Sequence, residues 1–399
     1  MENVVNILFA VILLGWSFWS PTCYVIGYLV YVSSYLGWFG KDIIINGVEY
    51  GQFFFNLLAL IPVVFSWREI DVRIKRIILI LFLFYLYGLF KPIWEGHQSL
   101  ELSIKASKSM TAYFFMFYAL AFNRRLEYDK IFRFLTVLSV YYAVLYIVNT
   151  IGVEFRPPFY VKEQYLQCPY DSFLLLALCY QLAYTAAFQL KQVAVLSLLY
   201  IGIYLSGYTS LFVASLLVGV VILLYRHISS PLVWVFLLLL LVYSLIYDSS
   251  VEQSIGRFWE NQQGALNSRY HYNEFRWNLI TKEFWGGYGF LSRDTHLISL
   301  STEKENFYMS DLSFIDAGYV DMMGRFGLVG TLLLLSLSLY IIINSLWNRQ
   351  TLPFILMVLS YYAVNITWSV FTYPQGIIVL ALVYAFLYNN QILNVWQKS

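Results

Sequence analysis

The sequence predicts an all-α polytopic membrane protein of about 12 transmembrane helices, or 13 if the first stretch crosses twice, with one long loop outside the cytoplasm. Three observations predict it. Apolar runs near the roughly 20 residues that a helix needs to span a bilayer recur along all 399 residues. Charged residues make up 12% of the chain and hydrophobic ones 60%, whereas soluble domains carry about 25% charge. The apolar runs are also continuous, while a membrane β-barrel needs alternating segments of about 10 residues.

Composition narrows the function classes. A net charge of +2 is too small to imply nucleic acid as a partner. The three cysteines, Cys23, Cys168 and Cys179, are odd in number and lack a Cys-x-x-Cys spacing, so neither a disulfide framework nor a zinc site is indicated. The first apolar run has no basic leader and no clear small-residue cleavage site, and is expected to be retained. Aromatic content is 20%, with 35 Tyr and 12 Trp. Belts at the membrane interfaces account for part of it, and stacking on sugars is a second source.

In chain order, Ser20-Pro21 interrupts an apolar stretch within residues 1–39, giving one irregular span or two short ones. Spans follow at 51–67, 77–91, 109–122, 131–151, 170–189, 192–206, 208–225, 231–247, 326–347, 352–370 and 375–391. Basic residues set the orientation. Arg68, Arg73, Lys75 and Arg76 cluster in one connection, and Arg124, Arg125, Lys130 and Arg133 in another. Lys191, Arg226 with His227, Arg349 and Lys398 mark four more, and walking the spans puts all six on the cytoplasmic side. The connections at 92–108 and 152–169, the Ser206–Thr209 corner, 371–374 and the long loop then face outward. Three parts result: N-terminal transmembrane helices (1–247), the long loop with the polar chemistry (248–323), and C-terminal transmembrane helices (324–399).

Within the loop, Arg269 and Arg276 are seven residues apart with Asn273 between, so on a helix they share one face. Two guanidiniums on one face suit a phosphate or diphosphate, offering planar bidentate donors that keep their charge. The competing reading is a solvated helix with Arg276 paired to Glu274 or Glu283. Gly286-Gly287-Tyr288-Gly289 stops that helix. Asp316 stands where loop turns to helix, the place of an N-cap. Asp321 and Arg325, four apart, form a helix-surface pair, and Gly324, Gly327 and Gly330 recur every third residue, permitting close helix contact. His271 and His296 have no acidic or histidine partner at metal-ligand spacing, so no metal is expected. Neither a Walker sequence nor a Gly-x-Ser-x-Gly elbow occurs.

The run SRYHYNEFRWNLITKEFWGGYG (268–289) resembles a segment of the O-antigen polymerase and ligase superfamily in which an Arg precedes a Gly-x-Gly by about five turns. DAGYVDMMGRFGLVG (316–330) resembles that superfamily's loop exit, where a polar residue and a Tyr precede a Gly-Leu-x-Gly. QCPYDSF (167–173) and LSGYTS (205–210) are weaker matches. Thr209 or Ser210 replaces an expected Arg, and Asp316 stands where the ligase branch usually has His, which favours the polymerase branch.

The resemblance implies a GT-C-like fold in a bacterial cytoplasmic (inner) membrane, and inverting, metal-independent transfer between undecaprenyl-diphosphate-linked glycans, without a cofactor. It implies Arg269 on the diphosphate, Asp316 as base and His271 as a second base candidate. Arg276, Arg257, Arg325, Tyr319 and Asn273 are expected on the diphosphate or glycan. The lipid bilayer and a chain-length regulator protein are implied partners. An O-antigen ligase and a lipid-linked oligosaccharide flippase remain alternatives, although the spans carry almost no ionisable residue in their central turns, where a transporter needs them.

The orientation has a direct test. A reporter active only outside the cytoplasm should be active when fused near Gln263 and inactive near Arg125; the reverse pattern would invert the topology.

Overall fold

The computed structural model describes residues 2–34, 44–45, 48–49, 51–150, 160–162, 165–167, 172–184, 190–206, 209–227, 276–292, 317–345, 347–348 and 350–398. Among them the regular elements are helices, apart from two small hairpins. The helices are α1 (Glu2–Trp19), α2 (Pro21–Ser34), α3 (Gly51–Phe65), α4 (Val72–Trp94), α5 (Leu100–Ser107), α6 (Ala112–Ala121) and α7 (Tyr128–Thr150). They continue as α8 (Ser172–Tyr184), α9 (Leu190–Leu205), α10 (Thr209–His227), α11 (Gly318–Asn344), α12 (Leu352–Val364) and α13 (Pro374–Lys398). The antiparallel hairpins pair β1 (Ile44–Ile45) with β2 (Val48–Glu49), and β3 (Tyr160–Lys162) with β4 (Tyr165–Gln167). The expected span at 231–247 lies outside the described residues.

Three described helices are long and apolar enough to cross a membrane: α4, α7 over Tyr128–Val148, and α11. Shorter apolar helices accompany them. The chain is thus a helical protein with the composition of a membrane protein. At the N-terminus, α1 and α2 meet at Ser20 and fold back, because Pro21 has no N–H with which to continue the helix. Gly27 of α2 lies against Leu13 and Trp16 of α1.

Apolar residues on every face mark the helices buried in protein. Residues 112–120 of α6 and 377–388 of α13 are all buried, and these two helices pack on each other. Residues 172–180 of α8 join them in the centre. The tyrosines are not confined to interfaces. Tyr24, Tyr28, Tyr118, Tyr142, Tyr146 and Tyr361 are fully buried. Buried tyrosines send the hydroxyl to distant acceptors: Tyr118 to the Ser17 carbonyl of α1 (2.8 Å), Tyr28 to Asn56 Oδ1 of α3 (2.5 Å), and Tyr113 to the carbonyl of Phe371 in the turn before α13 (2.7 Å). Asn56 Nδ2 passes the chain on to Thr111 Oγ1 (2.9 Å). In an interior without water such bonds hold helices in register, because an unmet polar group is costly.

The feature that positions the site is a break in α11. Gly327 has φ 64° and ψ −170°, so the helical bonds from Leu328 and Val329 to Gly324 and Arg325 are not made. Gly287, with φ 67°, interrupts the segment 284–289 in the same way. The two breaks exchange partners. Tyr288 N–H donates to Gly324 O (2.7 Å) and Gly289 N–H to Arg325 O (2.9 Å). In return, Leu328 N–H donates to Phe284 O (2.8 Å) and Val329 N–H to Trp285 O (3.3 Å). The backbones touch: a Cβ on Gly327 would lie 2.4 Å from the Trp285 carbonyl, and one on Gly287 2.5 Å from Gly327 N. The expectation that Gly327 serves helix-to-helix contact is thereby corrected. Its role is a left-handed backbone turn and a crossing of two chains.

Pro92 extends this stitching. It lacks the N–H that would meet the carbonyl of Gly88 in α4, and Phe290 N–H takes that carbonyl instead (2.7 Å). The Phe290 ring covers Gly88 and meets Tyr85 and Phe326 at 5.7 and 5.9 Å. The Gln98 side chain closes the strip, donating to Phe290 O (2.6 Å) and accepting from Ser292 N–H (2.9 Å).

Gly327→Ala should therefore destabilise the protein by at least about 1–3 kcal/mol, the cost of a non-glycine residue in a sparsely populated backbone region. Gly15→Ala, whose Cβ meets only ordinary contacts of 3.5 Å and beyond, should be near neutral. Melting temperatures in detergent check both; an unchanged Gly327→Ala would mean the crossing is dispensable.

Candidate functional site

Four connections meet at one end of the bundle: the end of α4 with residues 95–98, the strip 283–292, the start of α11, and the turn 365–373 between α12 and α13. The opposite end gathers the connections 66–71 and 121–125, with the Tyr388 hydroxyl of α13 on Asp71 Oδ1 (3.1 Å). Two of the six basic connections therefore share one end of the bundle, and the described residues of the 248–323 region, 276–292 and 317–323, come to the other.

Lys91 is the centre of the first polar group. Its Nζ lies 2.9 Å from Glu95 Oε1, one helical turn on, and 3.0 Å from Glu283 Oε2 across 192 residues. His97 Nε2 stands 3.2 Å from the other oxygen of Glu95, and the Tyr87 hydroxyl donates to Gly286 O (2.9 Å). Glu283 is thus engaged by Lys91, and Glu274, the other partner that the solvated-helix reading gave Arg276, lies outside the described residues. Burial pushes the Tyr288 phenol above the usual tyrosine range, and its hydroxyl donates to Leu279 O (2.8 Å). Along the outside of α4, from Leu83 to Glu95, runs a groove of about 480 Å³ with Tyr87, Phe90 and Trp94 on its walls. A hydrocarbon chain fits such walls, with its polar end beside Lys91 and Glu95.

The second group lies inside. Arg325 Nε donates to Asp321 Oδ1 (2.8 Å), and the Thr372 hydroxyl donates to Asp321 Oδ2. Asp321 and Arg325 are 2% and 7% exposed, so the expected surface pair is a buried one. The reason is that α11 begins at Gly318, earlier than the predicted span, and its first two turns pack against 365–372. Gly318 lies against the Asn365 amide, and Tyr319 N–H donates to Asn365 O (3.3 Å). Asn365 Oδ1 and Gln375 Oε1 are buried acceptors with no hydrogen-bond partner.

The expected site residues fare unequally. Arg276 is half-buried at the start of a helical turn, 276–280, that leads into the docked strip. Arg325 is in the buried pair, and Tyr319 is half-buried with its hydroxyl on Tyr362 O (2.7 Å). Arg269, His271, Asn273, Arg257 and Asp316 lie outside the described residues. Lys91, Gln98, Asn365 and Thr372 were missed by sequence reasoning. Only Lys91 left a signal, as a cation at the end of an apolar run; partners 43 to 194 residues distant leave none. Among the described residues no three His, Cys, Asp or Glu side chains gather as metal ligands.

The buried pair separates structure from chemistry. Removing Asp321 or Arg325 alone should cost about 3–5 kcal/mol by stranding the partner's charge, while Asp321→Leu with Arg325→Met should recover most of it. Chemical unfolding in detergent measures this; additive losses in the double variant would deny the coupling.

Compared with known families and with curated proteins, the chain matches no family model and no curated sequence.

Proposed function

We propose that this protein is a polysaccharide polymerase of the inner membrane, joining undecaprenyl-diphosphate-linked repeat units by inverting, metal-independent glycosyl transfer at its outward face. In this reading about 12 helices cross the membrane, the fold is GT-C-like, and the strip 283–292 lies on the outer side. The observation that carries it is the crossing at Gly287 and Gly327. The two segments that resemble the polymerase superfamily, 268–289 and 316–330, are hydrogen-bonded to each other through four backbone bonds. Residues 284–289 of the first and 324–329 of the second are thereby held side by side.

The chemistry asks for two things. The leaving lipid diphosphate gains negative charge in the transition state, so fixed arginines aimed at it stabilise that state more than the ground state. Arg269 is assigned this role first and Arg276 second, with Arg257 a further donor. Arg325 already spends its Nε on Asp321, which makes it a support of the site before it is a ligand. The acceptor hydroxyl needs a proton acceptor, assigned to Asp316, two residues before α11, with His271 as the substitute. Asn273 and Tyr319 are assigned to the glycan. The groove beside α4 suits the isoprenoid chain.

The test is an assay of purified protein with a lipid-linked repeat unit and no added nucleotide or metal. The wild type should give a ladder of products. Arg269→Ala should abolish it, and Arg269→Lys should be badly impaired for want of a bidentate fork. Asp316→Asn should fold and bind the donor but turn over at least about 10²-fold more slowly. A ladder of normal intensity from Asp316→Asn would leave that residue as a helix cap.

A further inference from the structure

A second cavity lies at the opposite end of the bundle, far from the proposed chemistry and independent of it. It holds about 210 Å³ between the connection 66–71, which leads into α4, and the connection 121–125, which follows α6. Its walls carry both signs of charge: Arg124 and Arg125 on one side, Glu69 and Asp71 on the other, with Ser66 and Asn123 between. Asn123 is 2% exposed, and its Nδ2 has no hydrogen-bond partner.

The opposite charges do not neutralise one another. No ion pair joins either arginine to Glu69 or Asp71; Arg125 Nη2 instead donates to Phe18 O (3.2 Å). Asp71 is the N-cap of α4, and both its donors, Arg73 N–H and the Tyr388 hydroxyl, use Oδ1, leaving Oδ2. A concave site with separated, uncompensated charges of both signs matches a zwitterion better than a simple anion.

The surroundings place that zwitterion on a lipid. The cavity sits at the first residues of α4, a helix long enough to span a bilayer, and so at headgroup depth. Beside it is an apolar flank: Val64, Phe65 and Trp19 are 68%, 78% and 84% exposed. Phe65 adjoins Ser66 in the wall, and its ring meets Phe18, whose carbonyl holds Arg125, at 5.9 Å. Headgroup cavity and acyl-chain surface are continuous.

We infer that this cavity binds a zwitterionic phospholipid whose headgroup carries a phosphodiester and a primary ammonium. The phosphate sits with Arg124, Arg125 and the Asn123 amide, and the ammonium with Glu69 and Asp71. A primary ammonium can donate hydrogen bonds to both carboxylates, which a quaternary one cannot.

The experiment is native mass spectrometry of the intact protein in detergent, titrated separately with phosphatidylethanolamine, phosphatidylcholine, phosphatidylglycerol and inorganic phosphate. Phosphatidylethanolamine should bind about tenfold more tightly than the other two lipids, the ratio one good charge-assisted hydrogen bond supplies. Inorganic phosphate should not displace it. Glu69→Gln should bring phosphatidylethanolamine down to the level of phosphatidylglycerol, and Arg124→Ala should weaken both. Both positions are exposed, so the fold should survive, and Arg133→Ala, an exposed partner of Asp129, should change nothing. Equal binding of the three lipids, indifference to Glu69→Gln, or displacement by inorganic phosphate would each overturn the assignment, the last in favour of a soluble anion.

Discussion

Two interrupted stretches of backbone complete each other's hydrogen bonds, and the end of the bundle where four connections meet depends on that exchange. Positions 284 to 289 and 324 to 329 are equivalent: each bears a glycine with positive φ at its fourth place. Each then gives its next two N–H groups to carbonyls of the other. In a helix that crosses a membrane, two open N–H groups and two open carbonyls would cost several kcal/mol apiece. Exchange removes that cost while permitting the break. It also joins a loop to a membrane helix without side-chain specificity, which is why both crossing points need glycine and tolerate no Cβ.

The same economy governs the rest of that end. Pro92 opens one carbonyl in α4, and the strip fills it through Phe290. Gln98, a side chain with one donor and one acceptor group, substitutes for a backbone partner at Phe290 and Ser292. Lys91 then ties Glu283 to α4 by charge. Each of these fastens the strip, and hence the chain leading to it from Arg276, to the membrane helices. A site assembled this way is held by main-chain bonds of fixed direction, which suits chemistry that needs charges aimed at one place.

At the centre, polar groups and apolar packing cooperate. Three helices, α6, α8 and α13, are wrapped by their neighbours, and hydroxyls of tyrosine and threonine fix which helix stands beside which. Tyrosine serves twice here: its ring fills volume, and its hydroxyl finds a carbonyl on a neighbouring helix. The high tyrosine content thus belongs to the interior as well as to the membrane interface.

Sequence alone determined what depends on local composition. Low charge and long apolar runs gave the helical membrane class, and Pro21 marks a break that needs no distant partner. The clustering of Arg68 and Arg73 with Arg124 and Arg125 foretold that their connections share an end, since a membrane forces charges out to its two faces. Tertiary structure decided what depends on distant partners. Gly324, Gly327 and Gly330 have the spacing of a helix-contact stripe, and only the approach of Gly287 makes Gly327 a break. Asp321 and Arg325 have the spacing of a surface pair, and only Thr372 and the turn 365–372 bury them. Lys91 reads as the end of an apolar run until Glu283 arrives beside it. The physical reason is common to all three: periodicity reports which residues share a face of a helix, and carries no information about what packs on that face.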